Sequence, residues 1–144
     1  MNVLRGSCLC GAVRFEADLP TIFLCHCHCH WCRVAHGAAF VTWTGVKADK
    51  LRQLGAEPFW YRSSARSERG GCGACGCRLF FRSTSSPGEV HIAAASIAEG
   101  LDRKPSAHIF IDEKVPWLEI ADGLPQIPGT DPRLGRYAGD PTRA

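Results

Sequence analysis

Cys25-His26-Cys27-His28-Cys29-His30-Trp31-Cys32-Arg33 holds four of the chain's nine cysteines and three of its six histidines. Every one of those cysteines and histidines can bind a soft or borderline metal. Packing alone does not call for thiols at this density. Within the stretch, Cys27, Cys29 and Cys32 form a Cys-x-Cys-x-x-Cys run that can wrap three sulfurs around one ion. Zn²⁺ prefers tetrahedral coordination, so three protein thiolates leave one position open, as in catalytic zinc sites. Cys25 or a neighbouring histidine could fill that position and make the site structural.

Two further cysteine motifs flank this one. In Gly6-Ser7-Cys8-Leu9-Cys10-Gly11 the two thiols are two residues apart, so in extended backbone they point the same way. Gly70-Gly71-Cys72-Gly73-Ala74-Cys75-Gly76-Cys77 contains Cys-x-x-Cys-Gly, a zinc-knuckle signal in which the glycine takes a left-handed conformation. Cys8 and Cys10 with Cys72 and Cys75 make a closed four-thiolate site, leaving Cys27, Cys29 and Cys32 as a separate one. Spacing also allows Cys72 and Cys75 to pair with Cys29 and Cys32, and Cys8 and Cys10 with Cys25 and Cys27. Iron is chemically possible in a four-thiolate site.

The rest of the composition narrows the classes. A chain of 144 residues is long enough for one domain with a real core. The net charge of +3 is mild, and the basic residues are scattered, which argues against nucleic acid as a partner. No segment approaches the roughly 20 apolar residues of a membrane span, so no membrane role is expected. The start, MNVLRGSC, has no long apolar stretch, so a cytoplasmic protein is expected. An odd number of cysteines in that compartment points to metal ligation rather than disulfides.

Periodicity predicts many short strands and little helix, hence a mainly β fold. Strands are expected at 2–5, 12–17, 21–24, 38–44, 58–62, 79–82, 89–94 and 107–111. A weak strand or helix is expected at 51–54, and a strand or loop at 63–69. Helical turns are expected at 32–36, ended by Gly37, and at 96–101. Proline and glycine recur from Gly123 onward. Residues 1–122 are therefore expected to form a single zinc-binding domain and residues 123–144 a non-core tail, lying over the surface or disordered at its end.

These motifs, taken in order, carry a resemblance. Gly6-x-Cys8-x-Cys10-Gly11-x-Val13-x-Phe15, Cys27-His28-Cys29-x-x-Cys32-Arg33-x-x-x-Gly37-Ala38, Cys72-x-x-Cys75-Gly76, His108-Ile109 and Pro116-Trp117 resemble the glutathione-dependent formaldehyde-activating enzymes, a family that includes centromere protein V. The resemblance implies a β-rich zinc fold of several small antiparallel sheets, like that of the Rab GTPase accessory factors. It implies two Zn²⁺ per chain, a structural one on Cys8, Cys10, Cys72 and Cys75 and a catalytic one on Cys27, Cys29 and Cys32. The implied activity is that of a carbon–sulfur lyase joining glutathione and formaldehyde as S-hydroxymethylglutathione. The implied partners are thus a small-molecule thiol and an aldehyde. The chain departs from the family pattern at Gly71, where an aromatic is usual, at Cys77, and at the extra Cys25.

An open zinc can hold a thiol as thiolate or polarise a carbonyl. Three thiolates weaken its Lewis acidity, which favours thiolate delivery. The alternative to an enzyme is a non-catalytic zinc module that binds a protein partner. Among other residues, His28 is expected to point away from the sulfurs, and His26 and His30 to be solvent-exposed. His108 is read as a core histidine or a general base near the zinc. Arg33 is read as balancing thiolate charge or holding a substrate carboxylate. Trp43, Trp60 and Trp117 are expected in the core, and Cys25 and Cys77 as buried thiols.

Overall fold

A computed structural model describes residues 2–137. Its chain order is β1 (Val3–Ser7), β2 (Arg14–Asp18), β3 (Phe23–Cys27), α1 (His30–His36), β4 (Val41–Lys47), β5 (Leu51–Gln53), β6 (Phe59–Arg62), β7 (Ser67–Gly71), β8 (Arg78–Ser83), β9 (Glu89–Ala93), β10 (Ile97–Glu99), β11 (His108–Ile109) and β12 (Gln126–Ile127). The fold is mainly β, as expected, and its strands gather into two sheets. One runs β10-β1-β2-β5; the other runs β12-β11-β3-β4-β9-β8-β7-β6. Most pairs are antiparallel, but β11 lies parallel to both β3 and β12.

The sequence builds these strands by alternation. In β2, Phe15 and Ala17 are buried, while Arg14 is exposed and Glu16 pairs with Arg5 and Arg52. The central strands β8 and β9 are covered on both faces. Phe80 opposes Ile92 and faces the first core with Leu4, Phe15 and Val46. Phe81 opposes His91 and faces a second core built on Cys27, Cys32, Trp43 and Ile109. Phe80 meets Phe15 edge-on at 5.3 Å and Trp60 in a stack at 6.0 Å. Phe80→Ala is therefore expected to cost about 3–5 kcal/mol. Denaturant unfolding would measure it, and a loss below about 1 kcal/mol would contradict this packing.

Helix α1 begins two residues earlier than expected and ends at the expected place. Gly37 caps it in the left-handed region, at φ 59°. The helix N-cap is Cys29, whose sulfur accepts the Cys32 N–H at 3.3 Å.

Four expectations are corrected by the structure. Residues 97–99, expected in a helical turn, form an edge strand because β1 offers a free side and Arg5 pairs with Glu99. The strand expected at 107–111 is only His108–Ile109, because Phe110 turns left-handed at φ 54°. Trp117, expected in the core, is 72% exposed in a turn after Pro116. The segment after residue 122 adds β12 to the large sheet and buries Leu134 in the second core. Its final residues, 138–144, lie outside the described residues.

Candidate functional site

The three cysteine motifs meet as two sulfur clusters. In the first, Cys8, Cys10, Cys72 and Cys75 bring their Sγ atoms within 4.8 Å of one another. Cys8 and Cys10 sulfurs are 3.6 Å apart, and Cys10 and Cys72 sulfurs 3.8 Å. Zn–S bonds of about 2.3 Å in a tetrahedron place sulfurs about 3.8 Å apart, so the residues present fit such an ion. The Val13 N–H donates to Cys8 Sγ at 3.3 Å, and the Cys75 N–H to Cys72 Sγ at 3.4 Å. Gly11 and Gly76, at φ 81° and 75°, make the two tight turns that side chains with a Cβ resist. Burial opposes ionisation of Cys8, but the Val13 N–H and the neighbouring thiols outweigh it and bring the group to about 6. This cluster joins the end of β1 to the β7–β8 turn and so ties the two sheets together.

The second cluster is Cys27, Cys29 and Cys32, again within 4.8 Å. Cys27 and Cys32 sulfurs are 3.8 Å apart, which fits the same tetrahedral edge. Cys27 ends β3, Cys29 caps α1 and Cys32 sits one turn into it. Cys25 does not join the group of three, although it lies on the same face of β3. Burial pushes its thiol up to about 12.

Cys32 is the focus of charge. Hydrogen bonds from the Cys27 and Cys29 thiols hold it well below the usual thiol range, and Arg69 and Trp43 add to this. The Trp43 indole N–H donates to its sulfur at 3.4 Å. The Arg69 guanidinium nitrogens lie 3.8 and 3.9 Å away, and the same group covers the Phe81 ring at 4.9 Å. Arg69 is 6% exposed. Such a buried cation is favoured beside developing thiolate charge.

The three sulfurs open onto a cavity of about 260 Å³. Phe23, Trp31, Trp43, Phe81 and Phe110 give it aromatic walls, and Ser63, Ser67, Ser83 and Ser86 give it hydroxyls. The Ser86 hydroxyl is buried with no hydrogen-bond partner among the described residues. Three lining residues, His91, Arg136 and Tyr137, meet at Glu89, which accepts from His91 and Tyr137 and pairs with Arg136, and the His91 bond holds its carboxyl below the usual range. None of Cys8, Cys10, Cys72 and Cys75 lines this cavity.

The other histidines lie off the cavity. His28 is fully buried, with Nε2 2.8 Å from His108 Nδ1. His108 Nε2 lies 2.7 Å from Asp122. His26, expected exposed, is half-buried, bonds Thr42 and packs on Phe40 and His108; His30 is exposed as expected. His26, His108 and Asp122 also place ligand atoms within 4.8 Å of one another. Arg33 does not face the sulfurs; its Nε–H donates to the His28 carbonyl at 3.1 Å. The cation beside the thiolates is Arg69, which the sequence reading missed. Strand alternation could have found it: period two in β7 puts Ser67, Arg69 and Gly71 on one face, just before the knuckle. Cys77 is half-buried and outside both clusters.

Two sulfur clusters on a β scaffold, one at the join between sheets and one facing a cavity, define a cysteine-rich domain that can hold metal ions. The model of the family "Glutathione-dependent formaldehyde-activating enzyme" matches residues 3–113, and the chain belongs to that family. It is 33% identical over 127 residues to a putative glutathione-dependent formaldehyde-activating enzyme of Halomonas elongata, covering 82% of this chain and 81% of that protein. It is 27% identical over 123 residues to an uncharacterized lyase of Schizosaccharomyces pombe, covering 85% and 88%. A solved Rhodobacter sphaeroides protein shares the fold at a TM-score of 0.56 and 24% identity, covering 68% of this chain and 90% of that one.

Proposed function

We propose that this protein is a zinc-dependent carbon–sulfur lyase acting on thiol–aldehyde adducts, with glutathione and formaldehyde as the reference pair. In this reading Cys8, Cys10, Cys72 and Cys75 hold a structural zinc, and Cys27, Cys29 and Cys32 hold a catalytic one. The observation that carries it is the asymmetry of the two clusters: three sulfurs face a cavity, and four sulfurs close on themselves away from it. The family and the names of the relatives support the same chemistry.

A zinc ion on the three thiolates would hold a substrate thiol as thiolate, the reactive nucleophile at neutral pH. The net reaction needs no redox partner. The substrate sulfur forms a bond to the carbonyl carbon, the carbonyl π pair moves to oxygen, and the oxygen takes the proton that the thiol gave up. Reversal breaks the same C–S bond. Within this scheme Arg69 and the Trp43 N–H draw charge from Cys32, which lessens the electron density its sulfur gives to an ion. Aromatic walls exclude water, which would otherwise hydrate the aldehyde. The unpartnered Ser86 hydroxyl is a ready partner for the new hydroxyl group.

Two measurements test the proposal. Zinc content of protein purified without added metal is expected to be two per chain. Two-dimensional exchange NMR of glutathione with formaldehyde is expected to show faster exchange between free thiol and adduct when the protein is present. Unchanged exchange at two zincs per chain would favour the binding module over the lyase.

A further inference from the structure

The face of β3 opposite the cavity carries a line of polar groups that the proposed chemistry does not use. It starts at Asp122, whose side chain is 44% exposed, passes through His108, and ends at His28 with no exposure at all. The direction of its bonds follows from its first member. The Asp122 carboxylate has no proton to give, so His108 Nε2–H donates to it. His108 Nδ1 is then a lone pair, and His28 Nε2–H donates to that. What remains on His28 is a bare Nδ1, buried without a partner among the described residues. A bare acceptor there is the less costly of the two tautomers, because an orphaned buried N–H is the rarer defect.

His28 is held at every other point as well. Its backbone N–H donates to the Ile109 carbonyl at 3.0 Å, and its own carbonyl accepts from Arg33 at 3.1 Å. Its ring lies 5.1 Å from the Phe40 ring. This residue is the single link between Cys27 and Cys29, so its two backbone dihedrals set the angle between the flanking Cβ directions. Both His108 nitrogens are committed to hydrogen bonds, so the group acts as a brace rather than as an ion cage.

We infer that Asp122, His108 and His28 form a positioning chain that fixes the Cys27–Cys29 ligand pair from the far side of the sheet. The inference rests on the reading of Cys27, Cys29 and Cys32 as a metal site. None of the three positioning residues lines the cavity, so their effect on any ligand there passes through the backbone of His28. Ring packing would need only His28 and His108. The brace needs the exposed carboxylate too, and that difference is what an experiment can read.

The test is release of zinc from the loaded, folded chain to a chromogenic chelator. Wild type is expected to release zinc in two phases, and Cys32→Ser identifies the phase that belongs to the three-sulfur site. Asp122→Ala, a change at a part-exposed side chain, is expected to speed that phase by about 10- to 100-fold and leave the other unchanged. His108→Asn keeps an acceptor where Nδ1 was but loses the bond to Asp122, and is expected to speed the same phase at least as much as Asp122→Ala. Both phases speeding together would mean general loosening and would overturn the positioning role. Two phases untouched by Asp122→Ala would also overturn it, with the metal site intact. A single phase in wild type would remove the three-sulfur site, and the brace with it.

Discussion

Cys72→Ser is expected to abolish cooperative folding rather than to lower stability by a fraction. Cys72 is 1% exposed and belongs to both the first core and the four-sulfur cluster. Its sulfur meets that of Cys10, which lies 62 residues earlier in the chain. A clip between such distant points removes much of the entropy of the unfolded chain. Structural zinc in small domains supplies roughly 10–16 kcal/mol, against a total stability of about 5–15 kcal/mol for a typical domain. Loss of one ligand from such a site therefore leaves little to hold the two sheets together. Near-UV circular dichroism and a thermal melt, with zinc content measured on the same sample, check this. Cys77→Ser is the control, because Cys77 lies outside both clusters, and its melt should stay close to wild type. A Cys72→Ser protein that melts like wild type would mean that the four sulfurs do not stabilise the fold.

Cys32→Ser is expected to act in the opposite way, with large loss of turnover and little loss of fold. Cys32 opens onto the cavity and gathers the Cys27 sulfur, the Trp43 N–H and the Arg69 guanidinium around one atom. Removing groups that merely orient metal ligands costs about 10- to 100-fold in affinity or activity, so removing a ligand should cost at least about 100-fold. Zinc per chain should fall from two to one, and the melting transition should persist. Cys25→Ser separates this site from one closed by a fourth cysteine. Cys25 stands outside the group of three, so its loss should leave zinc content and turnover unchanged. Turnover that survives in Cys32→Ser would refute the catalytic role of the cluster.

The sequence made local chemistry legible and left long-range pairing hidden. Spacings of two and three residues, which act within a single turn of chain, marked the three cysteine motifs but left their pairing open, and the four-and-three split was what the family resemblance implied. The helix end at Gly37 was legible because a left-handed cap is a one-residue signal. Ile97–Glu99 was not, because three residues of mixed character become a strand only when β1 is there to receive them. Gln126–Ile127 was hidden for the same reason among prolines and glycines. Trp117 misled, since a tryptophan reads as core and this one stands in an exposed turn. Arg69 and Asp122 were missed because each lies far along the chain from the cysteine run, and only the sheet order brings them near it.

Gathering seven thiols into two clusters also sets the electrical character of the whole molecule. In the proposed two-zinc form, seven thiolates against two divalent ions would subtract three charges, which would cancel the chain's formal +3. The metal-free polypeptide is basic, with an isoelectric point near 8.4, whereas a chain loaded with two divalent ions would sit close to electroneutrality at pH 7. Occupancy of the two sites is thus written into chromatographic behaviour. A cation exchanger at neutral pH should retain the stripped chain and pass the loaded one. The loaded form, lacking net repulsion between copies, should be the less soluble of the two at low salt.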